Sequence, residues 1–253
     1  MLVACLDTST LTLSCVLCEV NGGAVRLIAE RTEHAPAKPG PQGPTGGHGG
    51  RLPGALQDVL VAAGLKLPEV EAYAVGLGPG SFTGLRIGLA TWKGLAYANQ
   101  RPIAGCSSLA AMALGAAPAT EEGTLLVPLL DAKKHEVYAG FYRARGTSVE
   151  PVAPDAALPP HVLEARIAEL RVSGERPVAF GDGLTAMGDG TARLTVLTTE
   201  VHTPPALAVG VLCAGSLEGA SYDTARLFSL EPHYIRPSEA ELKFPHGHGP
   251  RAG

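Results

Sequence analysis

Apolar and polar positions divide the first third of the chain into short strands followed by helices. Leu2 to Leu6 is an apolar run that ends in Asp7-Thr8-Ser9-Thr10, and Leu11 to Val20 is a second one. Asn21-Gly22-Gly23 then predicts a hairpin turn, with Ala24 to Arg31 returning as a third strand. From Arg51 the period changes: Leu52, Ala55, Leu56, Val59, Leu60 and Ala63 recur at helical spacing, closed by Gly64. Pro53 belongs in a first helical turn, so this helix is expected to begin near Leu52. Val70 to Gly76 reads as a buried strand, and Gly78-Pro79-Gly80 as a tight turn. A helix follows over Thr83 to Ala98, capped by Ser81 or Thr83. Phe82, Leu85, Leu89, Trp92 and Ala96 form one seam on it; Gly84, Gly88, Thr91 and Leu95 form a second stripe of smaller residues. Either its own domain encloses this helix, or one side meets the core while the glycines admit a second helix from another subunit.

The second half repeats the opening. After a short strand at Pro102 to Gly105 and a helix capped by Ser107 or Ser108, composition shifts at Ala116 to Gly123, which marks an inter-lobe connection. Leu125 to Leu130 is another apolar strand that reaches an aspartate, Asp131, and Glu136 to Tyr142 continues after a short polar turn. Pro159 to Leu170 reads as a helix and Val178 to Phe180 as a strand leading into Gly181-Asp182-Gly183. Ala206 to Glu218 is a helix suited to packing back across the lobes. Strand, aspartate, polar turn, strand, given twice, is the plan of the actin-like ATPases, and predicts a two-lobed α/β fold, each lobe a mixed sheet flanked by helices. The expected lobes are residues 1–114 and a smaller 115–253, with a tail from about 245.

Composition narrows the chemistry. The chain has 253 residues, 45% of them hydrophobic, and a formal net charge of -4, so it lacks the overall basic footprint of a protein that grips nucleic acid unaided. Its five cysteines, 5, 15, 18, 106 and 213, are odd in number and lie mostly in apolar runs, as reduced thiols do. Cys15 and Cys18 imitate CxxC, but an offset of three sends them to opposite faces of a strand. The histidines, 34, 48, 135, 161, 202, 233, 246 and 248, include no pair four apart, so none offers the HxxxH arrangement that brings two imidazoles onto one metal ion. His48 is expected to be solvated within a Pro/Gly-rich loop, Ala35 to Gly50, and His246 and His248 fall in the tail. No zincin motif or nucleophile elbow is present. No apolar run reaches membrane-spanning length, and the expected location is cytoplasmic.

Gly78-Pro79-Gly80-Ser81-Phe82-Thr83-Gly84-Leu85-Arg86-Ile87-Gly88 resembles the signature of the TsaB family, also called YeaZ. Lys93-Gly94-Leu95-Ala96, Ser107-Ser108-Leu109, Leu6-Asp7-Thr8-Ser9, Asp131-Ala132-Lys133-Lys134, Glu136-Val137-Tyr138 and Pro232-His233-Tyr234-Ile235-Arg236 support it. The resemblance implies an actin-like (ribonuclease H-like) fold and a non-catalytic subunit in making N6-threonylcarbamoyladenosine at position 37 of tRNAs reading codons that begin with A. It implies pairing with the paralogous transferase TsaD through the N-terminal lobe, a further partner in the ATPase TsaE, and a homodimer in isolation. Contact with tRNA would then be indirect, and no membrane is involved. Its interface helices correspond to Leu52, Leu56, Val59, Leu60, Ala63, Phe82, Leu85, Leu89 and Trp92.

The superfamily's nucleotide motifs fall near Asp7, Asp131, Gly181 and Gly183, the candidate cofactor-binding residues. Asp7-Thr8-Ser9 and Ala132-Lys133-Lys134 lack the glycine that lets backbone approach phosphate closely. No resident cofactor, metal or catalytic residue is therefore expected, with ATP or ADP entering only in complex with TsaD and TsaE. The alternative from another class is an actin-like nucleotide-dependent small-molecule kinase or ATPase using Asp7 and Asp131.

Overall fold

A computed structural model describes residues 1–34, 47–187, 195–196 and 203–236. Most of the loop predicted at Ala35 to Gly50, and the tail from about 245 with His246 and His248, lie outside these residues.

The first sheet contains β1 (Leu2–Asp7), β2 (Thr12–Asn21), β3 (Ala24–His34), β4 (Ala72–Gly76) and β5 (Ile103–Cys106) in the order β3-β2-β1-β4-β5. β1, β2 and β3 form an antiparallel meander, and β4 and β5 add in parallel on the other side of β1. The second sheet repeats this with β6 (Leu125–Asp131), β7 (Val137–Arg145), β8 (Ser148–Leu158), β9 (Val178–Phe180) and β10 (Thr195–Val196), ordered β10-β9-β6-β7-β8. Here too three strands form an antiparallel meander and β9 joins β6 in parallel. The sequence repeat around the two aspartates is thus a repeat of strand topology.

β1 shows why both faces of its sheet are covered. Ala4 and Leu6 enter one cluster, Val3 and Cys5 another, so a near-continuous apolar run suits a strand buried on both sides. The first cluster lies beneath α1 (His48–Ala63), α2 (Phe82–Asn99) and α7 (Thr224–Ser229). The second lies beneath α6 (Ala206–Leu217). α3 (Ser108–Ala116) is rooted at the end of β5 but buries Leu109 and Met112 against the second sheet, whose far face is covered by α4 (Pro160–Leu170) and α5 (Leu184–Met187). α3 and α6 therefore form the middle layer between the sheets. Residues 206–229, assigned from sequence to the second lobe, pack on the first.

Two local expectations are corrected. α1 begins at His48 rather than near Leu52, with Pro53 inside the helix on its exposed side. His48 is buried, its Nε2 lying 2.6 Å from the Thr10 carbonyl oxygen while Arg51 donates to its Nδ1 at 3.2 Å. The imidazole ties the start of α1 to the turn after β1.

Candidate functional site

The turn after β1 is built around Asp7, which is 1% exposed. Its Oδ1 accepts from the Ser9 N–H at 2.8 Å and the Ser9 hydroxyl at 2.6 Å; its Oδ2 accepts from the Ser108 hydroxyl at 2.6 Å. Ser108 Oγ in turn accepts from Gly78 N at 3.1 Å, joining α3, the Gly78-Pro79-Gly80 turn and β1 in one buried network. Gly76 permits this closure, because a Cβ there would collide with the Asp7 carboxylate. Burial pushes the Asp7 pKa up, and the hydroxyl and N–H donors of Ser108 and Ser9 pull it partly back. The carboxylate is turned inward, and both of its oxygens are met by donors of its own chain.

The equivalent end of β6 is open. Asp131 has 30% of its side chain exposed and pairs with Lys133, whose backbone N–H also donates to it at 2.7 Å. Its pKa lies below the ordinary value: partial burial raises it, but the Lys133 hydrogen bonds and charge outweigh that. The turn beyond has Lys133, Lys134 and His135 in the left-handed region, at φ 62, 55 and 61. Gly181 and Gly183 meet the end of β6, where a Cβ on Gly181 would strike the Leu129 carbonyl oxygen. Gly183 N donates to that same oxygen at 3.1 Å. These glycines serve close packing of the loop after β9 on β6.

Most of the residues assigned to a partner interface are core residues. Leu52, Leu56, Val59, Leu60, Leu85, Leu89 and Trp92 are all buried in the first lobe, and Ala63 is half-buried against the same cluster. Trp92 is fully buried, donates Nε1–H to the Ala4 carbonyl at 3.0 Å, and meets Tyr73 edge-on with ring centroids 6.0 Å apart. The glycine stripe of α2 receives the turn after β1 rather than a second helix. Thr8 Oγ1 donates to Gly84 O at 2.9 Å, and a Cβ at Gly84 or Gly88 would collide with Thr8. An amphipathic pattern with two stripes is thus satisfied within one lobe.

What α1 and α2 expose is a different set. Gly50, Gly54 and Val61 on α1, and Ala90, Gly94 and Ala98 on α2, face outward, and a Cβ on Gly50, Gly54 or Gly94 would meet nothing within 4 Å. Only Phe82 of the predicted set reaches the surface, at 36% exposure. It lies on another edge of α2, against Tyr234.

A feature missed from sequence is the course of the last described segment. Leu227 and Leu230 pack on the first lobe, and His233 N donates to Leu77 O at 2.7 Å. Arg236 then reaches the second lobe, donating to Ala132 O at 2.9 Å and pairing with Glu136 at 3.1 Å. Residues 233–236 strap one lobe to the other. Beside them Ser107 caps α3, donates to Asp155 at 2.5 Å, and shares that carboxylate with the Tyr142 hydroxyl at 2.7 Å. The Pro232-His233-Tyr234-Ile235-Arg236 motif was visible in the sequence, but only its neighbours in space reveal its role.

The family model described as TsaD, tRNA N6-adenosine threonylcarbamoyltransferase, matches residues 41–197. The tRNA threonylcarbamoyladenosine biosynthesis protein TsaB of Escherichia coli is 33% identical over 202 residues, 78% of this chain and 84% of that protein. Its Haemophilus influenzae namesake is 40% identical over 201 residues, with the same coverage of 78% and 84%. The solved structure of YeaZ from Pseudomonas aeruginosa is 28% identical and superposes with a TM-score of 0.67, covering 94% of this chain and 98% of that one. Among the described residues no helix is long and apolar enough to cross a membrane. With two actin-like half-domains, the GPGSFTGLRIG turn and helix, and relatives aligned along most of their length, the chain belongs to the TsaB (YeaZ) family of tRNA threonylcarbamoyladenosine biosynthesis proteins.

Proposed function

We propose that the chain is the non-catalytic partner of the TsaD transferase, required for threonylcarbamoyl transfer to adenosine 37 of tRNAs reading ANN codons. It docks through the outward side of α1 and α2, and in the absence of TsaD the same face pairs two copies of the chain. The observation that carries this reading is the set of open glycines and alanines on that face, Gly50, Gly54, Ala90, Gly94 and Ala98, which leave room for another helix to approach backbone to backbone. TsaE joins as the third component, and ATP or ADP enters only in that assembly. The inward-turned Asp7 supports the absence of independent nucleotide chemistry.

The test is co-purification with the host TsaD, followed by tRNA modification with and without the chain. Ala90→Arg and Gly94→Arg place a long cation on the open face, where nothing in the lobe resists it. Both are expected to abolish co-purification and modification while leaving the melting temperature unchanged. Undiminished association with TsaD in both variants refutes the docking face, and full modification without the chain refutes the role.

A further inference from the structure

The outward half of α2 carries two kinds of surface side by side. At about 100° per residue, Phe82, Lys93, Arg86 and Tyr97 occupy one flank, and Ala90, Gly94 and Ala98 follow on the other. Ile87, which falls between Gly94 and Ala98 around the helix, touches α1: a Cβ on Gly49 would lie 3.8 Å from its Cδ1. The small residues therefore face α1 and continue the floor that Gly50 and Gly54 begin. The other flank faces the returning segment. Phe82 and Tyr234 have ring centroids 5.1 Å apart, and Tyr97 and Phe228 6.2 Å apart. The Arg86 guanidinium lies 4.0 Å from the Phe82 ring centroid and donates Nε–H to the Tyr234 hydroxyl at 3.0 Å, while Lys93 Nζ donates to the Phe228 carbonyl at 3.1 Å. A floor of small residues is thus bordered along one side by a wall of rings and cations.

Floor and wall together have the anatomy of one protein interface, uncharged at the centre and polar at the rim. That rim has a single sign. α2 contains no acidic residue, and among the described residues Arg86 and Lys93 meet an aromatic face, a hydroxyl and a carbonyl but no carboxylate. The Arg86 Nη groups have no hydrogen-bond acceptor among those residues. A second copy supplies little of what is missing, because in an isologous pair the same patch faces itself. The one acid of α1, Asp58, is held by Arg31 at 3.6 Å. Residues 224–236 add only Glu231, a single carboxylate for two cations.

We infer that the docking face selects a protein partner whose facing edge carries carboxylates, set to meet Arg86 and Lys93 while a helix lies on the small-residue floor. This rests on the docking reading above and adds to it the sign of the partner's charge. Opposite charges at a rim steer encounter and fix register, and like charges discriminate against the wrong partner. The face accordingly prefers a heterologous acidic edge to its own twin, and pairing of two copies is what remains when that edge is absent.

The experiment measures binding of the full chain to the host TsaD by surface-capture kinetics, and self-association by sedimentation, each across a salt series. TsaD binding is expected to weaken as salt rises, mainly through its on-rate, whereas self-association is not. Arg86→Glu combined with Lys93→Glu is expected to weaken TsaD binding at least about tenfold and to leave self-association intact. Lys93→Gln alone should flatten the salt dependence. Tyr234→Phe removes the hydroxyl that holds Arg86 without altering charge, and should bind TsaD as the parent does. TsaD binding indifferent to salt or to the reversed pair overturns the inference. So does an equal loss of self-association, or a loss in Tyr234→Phe as large as in the reversed pair. Should the reversed pair fail to fold, the Lys93→Gln salt dependence decides alone. Ala90→Arg tests the docking reading separately: binding lost there but kept in the reversed pair refutes the charge assignment alone, and binding kept in both refutes the docking face.

Discussion

At the end of β1 the chain turns Asp7 inward, whereas at the topologically equivalent end of β6 it leaves Asp131 partly in solvent beside Lys133. The strand order around both is the same, so backbone topology does not explain the difference. What differs is the cover. α2 and the Gly78-Pro79-Gly80 turn press Thr8 and Ser9 down, Ser108 supplies a hydroxyl from α3, and Gly76 leaves room for the carboxylate. Over β6, among the described residues, the strap meets Ala132 and Glu136 through Arg236, and Lys133, Lys134 and His135 in the turn beyond Asp131 stay exposed. Two copies of one half-domain thus hold the same carboxylate in a dry and a wet setting. The dry one is a structural joint, in which removing a partner leaves buried donors unpaired; the wet one is a surface ion pair worth little.

Mutations can sharpen this contrast or break it. The largest effect is expected where the first lobe closes most tightly: Trp92→Ala should cost about 3–5 kcal/mol in urea unfolding, since it removes a fully buried indole and its hydrogen bond to the Ala4 carbonyl. A charged residue at Trp92 or Leu89 should unfold the lobe rather than report on a partner. Asp7→Ala should cost about 3 kcal/mol by leaving the donors of Ser9 and Ser108 without an acceptor. Asp131→Ala should cost under about 1 kcal/mol by the same measurement. Equal losses at the two aspartates would break the comparison.

Two smaller effects follow from protonation. Because the folded pKa of Asp7 is raised, the folded chain holds this proton more firmly than the unfolded chain, and its contribution to stability declines as pH rises from the ordinary 3.8 through the folded value. Asp7→Asn keeps an acceptor for Ser9 and offers a donor to Ser108. At pH 7 its melting temperature should equal or slightly exceed the parent's, because the buried site favours the neutral form. His48 moves oppositely: burial, with Arg51 nearby, lowers its pKa, against the raising effect of the Thr10 hydrogen bond. Below the ordinary 6.5 the unfolded chain takes up a proton that the folded chain refuses, so stability should fall as pH drops through that range. Replacement by Gln should flatten that slope in thermal melts.

Much of the fold could be read from local pattern. Alternation and turn chemistry located the opening meander, the doubled strand-aspartate-turn unit predicted two like sheets, and an offset of three placed Cys15 and Cys18 on opposite faces, in separate clusters. The GPGSFTGLRIG run identified the family because a tight turn leading into a helix is a local property. The start of α1 is less legible: periodicity from Arg51 and the position of Pro53 both point to Leu52, whereas His48, loop-like in its sequence setting, anchors the true first turn through Thr10, 38 residues earlier.

The sequence by itself determined which residues are apolar, where strands and helices form, and which family the chain joins, since these depend on spacing and side-chain type over a few residues. Only tertiary structure decided what covers each apolar stripe. The glycines of α2 suit a neighbouring helix as well as they suit Thr8, and the seam through Leu85, Leu89 and Trp92 suits a partner as well as the chain's own sheet. Tertiary structure also decided that α6 crosses to the first sheet, that Asp7 is sealed, and that aromatics far apart in the chain gather on one edge. Such contacts join residues separated by tens to hundreds of positions, and periodicity carries no information about which distant surface closes over which.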